Sequence, residues 1–210
     1  MRRGAAGRAG DGMPRPSAPV IVRPSAYREV MERTQAQDVR LAPWSEGDFE
    51  LLVRHNSPEM TAHLGGPETH EKLLDRHRRY LGLDDGRGGR MFRIAAGPDG
   101  ASAGIVGFWE TVHGGEDIWE AGWGVVPEFQ GHGIAGTAVR LVVAEARREA
   151  RHRHLHAFPS VDNPASNGVC RKAGFTLLGE EDMEYPKGHW MRCNDWRLDL
   201  TDTDGAGQQA

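Results

Sequence analysis

The stretch Val125-Val126-Pro127-Glu128-Phe129-Gln130-Gly131-His132-Gly133-Ile134-Ala135 constrains this chain more than any other segment. An apolar, strand-like run at 118–126 leads into it, and a long amphipathic run follows. Gly131 and Gly133 therefore fall where a strand gives way to a helix. There, bare backbone N–H groups and the positive end of a helix dipole face outward together, which suits a phosphate-bearing ligand. Glycine lets the main chain approach a pyrophosphate closely, because no Cβ intervenes. The Gly-Lys-Ser/Thr triplet of a P-loop does not follow, and a dinucleotide fingerprint carries three glycines in a parallel β-α-β unit. Taken alone, these residues also fit a tight turn that holds no ligand.

Some thirty residues on stands Asn163-Pro164-Ala165-Ser166-Asn167-Gly168-Val169-Cys170-Arg171-Lys172-Ala173-Gly174-Phe175. The two motifs, in this order and at this separation, resemble the GNAT superfamily of acyl-CoA-dependent N-acyltransferases. The resemblance covers roughly 39–200. Val39-Arg40-Leu41-Ala42-Pro43-Trp44 and Ser57-Pro58-Glu59-Met60 are similar to the branch that holds the ribosomal-protein alanine N-acetyltransferases. It implies acetyl-CoA as cosubstrate, with its pyrophosphate wrapped by Gln130, Gly131, His132, Gly133, Ile134 and Ala135. It further implies that backbone N–H groups of Val125 and Val126, at a bulge favoured by Gly124, polarise the thioester carbonyl. Asn163 would contact the pantetheine arm or the phosphates, and Lys172 reads either as a positive charge toward the nucleotide phosphates or as a plain surface lysine.

Bulk properties agree with one enzyme domain. The chain has 210 residues, enough for a domain of about 160 residues with tails. Residues 1–36, rich in Ala, Gly, Pro and Arg, read as a disordered extension, 37–200 as the domain and 201–210 as a flexible tail. With 26 basic and 30 acidic residues the net charge is −4, which implies no nucleic-acid-sized positive field. Two cysteines, Cys170 and Cys193, fit a reducing cytoplasm, and no apolar run is long enough to cross a membrane. Homodimers are common in folds of this kind.

Periodicity gives strands at 39–43, 91–96, 103–112, 117–126, 153–158, 175–179 and 190–200. Helices are expected after Ser45 as N-cap, with Phe49, Leu52 and Val53 on one face, then at 57–64, 68–83, 133–149 and 164–172, with Gly174 as C-cap. This order predicts an α/β (α+β) fold, a mixed, mostly antiparallel sheet of six or seven strands flanked by helices.

Acyl transfer from a thioester to an amine needs a polarised carbonyl, a deprotonated amine and a protonated leaving thiolate. Glu120 is the candidate base. It shares a strand face with Gly122 and Gly124, among tryptophans that would raise its pKa, although a solvated or salt-bridged glutamate fits too. His113 is a second candidate. Asn163 also reads as N-cap ahead of Pro164. Many members of the superfamily have a tyrosine acid where this chain has Cys170. Ser166, Cys170 and water are the candidate acids, Cys170 also reads as apolar packing, and the thiolate can leave unaided. A coenzyme-binding sensor without catalysis is the rival reading that this departure raises. His152, His154 and His156 alternate on one strand face and read as an exposed histidine-rich strand, with no metal expected. Glu180, Glu181, Asp182 and Glu184 read as an acidic loop able to attract a cationic amine. The expected activity is acetyl transfer to a primary amine of a small molecule, an amino acid, polyamine or antibiotic. A protein N-terminus is the alternative acceptor.

Overall fold

The computed structural model describes residues 38–83, 88–185 and 188–202, so the expectations for 1–36 and for most of the 201–210 tail fall outside them. Seven strands form one sheet in the order β1-β2-β3-β4-β5-β7-β6. They are β1 Arg40–Pro43, β2 Gly89–Ala96, β3 Ala101–His113, β4 Glu116–Val125, β5 His154–Ala157, β6 Thr176–Glu184 and β7 Trp190–Asp199. All neighbours are antiparallel except β4 and β5. Four α-helices accompany them among the described residues: α1 Phe49–His55, α2 His70–Gly82, α3 Ile134–Glu149 and α4 Pro164–Lys172.

Each sheet face carries its own core. The alternation of β4 turns Trp119 and Ala121 toward α3, where Ala138, Val139, Val142 and Ala146 recur at helical spacing and are all buried. The opposite face packs Met91 and Ile105 against Leu51, Leu52 and Tyr80 of α1 and α2, with Trp44. Gly114 and Gly115, with φ of 57° and 85°, make the two-residue turn that joins β3 to β4. That turn fixes the register from His113↔Glu116 through to Gly104↔Val125.

Several local expectations give way to packing. Residues 57–64 form successive turns rather than a helix. The Ser57 hydroxyl accepts from the Met60 N–H, the Thr61 hydroxyl donates to the Ser57 carbonyl, and these short-range bonds compete with helix propagation. In α1 the fully packed pair is Leu51 and Leu52, whereas Val53 is exposed and Phe49 meets the rings of His70 and His77. Strand β6 runs on through the expected acidic loop, because Arg192 on β7 pairs across the ladder with Glu180 at 3.3 Å and Asp182 at 3.2 Å. The helix α4 ends on Ala173, and Gly174 follows it with φ of 90°. No bulge interrupts β4 against β3; the irregularities lie at Ile94/Ala95 and Leu177/Gly179.

Candidate active site

The glycine junction has the geometry that its sequence requires. Gly131 and Gly133 both take left-handed φ, 80° and 77°, which a Cβ disfavours. Gly133 is the N-cap of the 16-residue α3 and offers no side chain to the free N–H groups of the first turn. Ile134 is buried, so its side chain anchors the helix while its backbone N–H stays at the helix mouth. Ala135 and His132 are half-buried. Gln130 folds back, donating from Nε2 to the Val125 carbonyl at 2.8 Å.

The sheet forks beside this junction. Strands β4 and β5 are in register at Trp119↔Leu155 and Glu120↔His156, and then part. The Val126 N–H donates to the Ala103 carbonyl at 2.9 Å, so main-chain groups two apart along β4 face β3. Those of Ala121, Trp123 and Val125 therefore face the open side. This corrects the expectation for Val126, whose N–H is already taken; Val125 keeps its place at the fork. The opening comes from strand divergence, not from a bulge.

Glu120 lies on the second face of β4, at the root of the fork. Its Oε2 accepts from Trp109 Nε1 at 3.2 Å, and burial raises its pKa against the lowering effects of Trp109, His113 and His156. The space above the strand depends on two glycines. A Cβ on Gly122 would stand 2.7 Å from the Trp109 ring, and one on Gly124 2.7 Å from His55 Nδ1. His55 is held neutral, its pKa lowered to about 4 by burial and by Arg54 and Arg76. A neutral, half-buried imidazole thus stands over Gly124, and a carboxyl that binds protons more readily than usual lies four residues back on the same strand face.

The family model of the GNAT acetyltransferase domain matches residues 38–176. The chain belongs to the GNAT acetyltransferase family. As such it is an acetyl-CoA-dependent N-acetyltransferase, and the sensor reading gives way. A GNAT-family acetyltransferase from Bacillus anthracis shares the fold with a TM-score of 0.65 at 17% identity, over 80% of this chain and 99% of its own. The Salmonella typhimurium acetyltransferase that modifies the N-terminal serine of ribosomal protein L7/L12 gives 0.63 at 21% identity, over 77% and 95%. Spermidine N-acetyltransferase from Vibrio cholerae, solved with CoA and spermine, gives 0.64 at 17%, over 78% and 96%. No curated protein matches the sequence.

In this GNAT domain Asn163 caps α4, its Oδ1 accepting from the Ser166 N–H at 3.0 Å. Ser166 is half-buried on the first turn and Lys172 exposed on the last. Cys170 is 0% exposed in the core under α4, and burial pushes its thiol up to about 12. Those surroundings fit the packing role, and a thiol held so firmly protonated is a weak acid for a leaving thiolate. We expect Cys170→Ala to leave kcat close to wild type while lowering the melting temperature, checked by steady-state rates and calorimetry.

The histidines do not form the exposed strand that their spacing suggests. His152 bonds Glu110 at 2.8 Å and packs on Trp119, whereas His156 is 4% exposed and bonds Asp195. His152 precedes β5 and lies against Trp119 on the α3 side, so it does not share the face of His154 and His156. Other contributors escape a reading of the sequence to different degrees. Trp109 is legible from the Gly114-Gly115 turn: four residues back from His113 and four on from Glu116 make it the partner of Glu120. His55, Met60 and Asp195 come from distant elements and carry no local signal.

Gly131 offers a separate test of the junction. An added Cβ there meets nothing within 4 Å, so the folded-state cost of Gly131→Ala is the left-handed φ alone, about 1–2 kcal/mol. Coenzyme A affinity measured by calorimetry should fall by roughly tenfold or more, equivalent to about 1.4 kcal/mol.

Proposed function

We propose that the protein transfers acetyl from acetyl-CoA directly to a primary amine of a small molecule, within a ternary complex. The coenzyme's pyrophosphate sits on the residue 130–135 loop and the N-terminus of α3, with its pantetheine along the open edge of β4 near Asn163. The Val125 N–H polarises the thioester, Glu120 draws the proton from the amine, and Ser166 or water protonates the leaving thiolate. Lys172 adds positive charge toward the phosphates.

The single observation that carries this reading is the fork, with Glu120 half-buried at its root and bonded to Trp109. The small acceptor is supported by a contact that spans the acceptor side. Arg76 of α2 meets the Tyr185 hydroxyl, beyond the end of β6, at 3.1 Å, and pairs with Glu68 at 2.6 Å. A long peptide entering from that side would have to part Arg76 from Tyr185. The test is thiol release from acetyl-CoA across a panel of spermidine, free amino acids, an aminoglycoside and peptides beginning with alanine or serine. Turnover confined to the peptides would overturn the small-molecule reading.

A further inference from the structure

Beside Glu120 lies a polar cluster that the proposed reaction does not use. Asp195 of β7 is 9% exposed and lies between two imidazoles: Oδ1 is 2.7 Å from His156 Nδ1, and Oδ2 is 3.4 Å from His113 Nε2. The His113 and His156 rings stand 5.3 Å apart. Glu181 of β6 adds a carboxylate 3.6 Å from His113 Nε2, and its Oε1 is buried without a hydrogen-bond partner. Exposure rises along the series: the side chain of His156 is 5% exposed, His113 26% and Glu181 33%. His156 lies beside Glu120 in the β4–β5 register, on the same sheet face.

We infer that Asp195, His156 and His113 form an outlet that carries the proton from Glu120 to solvent at the Glu181 edge. This rests on Glu120 being the base. Each turnover leaves one proton on the half-buried Glu120 carboxyl, beneath a site whose mouth both substrates occupy. Asp195, ionised, can only accept at Oδ1, so His156 carries its hydrogen on Nδ1 and presents a lone pair at Nε2. The Glu120 proton moves to that nitrogen, giving a carboxylate and an imidazolium whose charge Asp195 offsets. The proton then passes to His113 or water and leaves beside Glu181, returning His156 to its neutral form. Asp195 is suited to this role: burial pushes its carboxyl up, but the His156 hydrogen bond and the two imidazoles bring it below its ordinary value. The remaining titratable groups on these elements are Arg192, Cys193, Arg197 and Asp199 on β7, Glu180, Asp182 and Glu184 on β6, Glu110 on β3, Asp117 on β4, His154 on β5, and Glu116 on β4, which lies 3.7 Å from His154.

Asp195→Asn and His156→Gln test the outlet, with His113→Gln as a third variant at a more exposed position should either fail to fold. An asparagine amide would donate to His156 Nδ1 and remove the lone pair at Nε2. With the fastest amine of the panel, the variants should release one thiol per active site in a burst and then turn over roughly 10²-fold more slowly. The KM for acetyl-CoA should be unchanged, and added imidazole should restore part of the rate. Nitrogen-15 spectra of the wild type should show His156 protonated on Nδ1. Linear progress curves with the wild-type pH profile in folded variants, or a wild-type His156 protonated on Nε2, would overturn the outlet. Those results beside an inactive Glu120→Gln remove the outlet alone, whereas an active Glu120→Gln removes the base and the outlet together.

Discussion

Replacing Glu120 with glutamine is expected to lower kcat by roughly 10²–10⁴-fold while leaving coenzyme A affinity unchanged. The swap is nearly isosteric, and the amide oxygen can still accept from Trp109 Nε1, so the loss would report proton abstraction rather than packing. The sign with pH follows from the same environment. A base must be ionised, and burial raises the Glu120 pKa, so kcat should rise as pH climbs through that raised value and level off above it. Glu120→Gln should remove that limb of the profile. Rate–pH curves for both proteins, measured with a single amine, decide the matter, and an unchanged limb in the variant would assign it to another group.

Removing the Asn167 amide should cost the fold about 2–4 kcal/mol, a large loss for one polar side chain. Asn167 is 7% exposed, and its side chain makes four hydrogen bonds. Its Nδ2 donates to the carbonyls of Ser160 at 2.9 Å and Asn163 at 2.8 Å, while Oδ1 accepts from Asn194 Nδ2 at 2.7 Å and Trp196 Nε1 at 2.8 Å. These bonds tie α4 to β7 and to the segment that carries Asn163. The loss arises because Asn167→Ala strands the Trp196 N–H in the interior and leaves the Ser160 and Asn163 carbonyls with their backbone donors alone. Thermal unfolding should therefore begin roughly 5–15 °C lower. Asn167→Asp retains the acceptor but sets a carboxylate oxygen against two carbonyls, so it should not rescue. Asn163 would lose its support, and coenzyme affinity should weaken in parallel.

What the sequence made legible was whatever short-range rules govern. The left-handed glycines at 131 and 133, the Pro164 start of α4 and the period-two faces of β4 all depend on neighbours a few residues away. Trp109 belongs to this class too, because a two-residue turn carries register outward by simple counting. The fork does not: it depends on where β5 leaves β4, which is decided by α3 and by the loop that Asn167 holds. The side chains that come from far along the chain were equally hidden. His55 reaches Gly124 across about 70 residues of chain and Asp195 reaches His156 across 39. Cys170 was the position where the resemblance and the residue disagreed, and its burial explains how a small apolar group serves there.

The fork also governs how the molecule behaves when empty. Between β4 and β5 the sheet is stitched at Trp119↔Leu155 and Glu120↔His156, so its two wings share a narrow seam midway. A cosubstrate bound in that gap, as proposed, would supply the missing backbone partners and act as a rivet between the wings. Saturation at a hundredfold excess over Kd is worth about 2.7 kcal/mol to the native state. The enzyme's heat tolerance should then follow the supply of its acetyl donor, with the empty protein expected to loosen first along that seam.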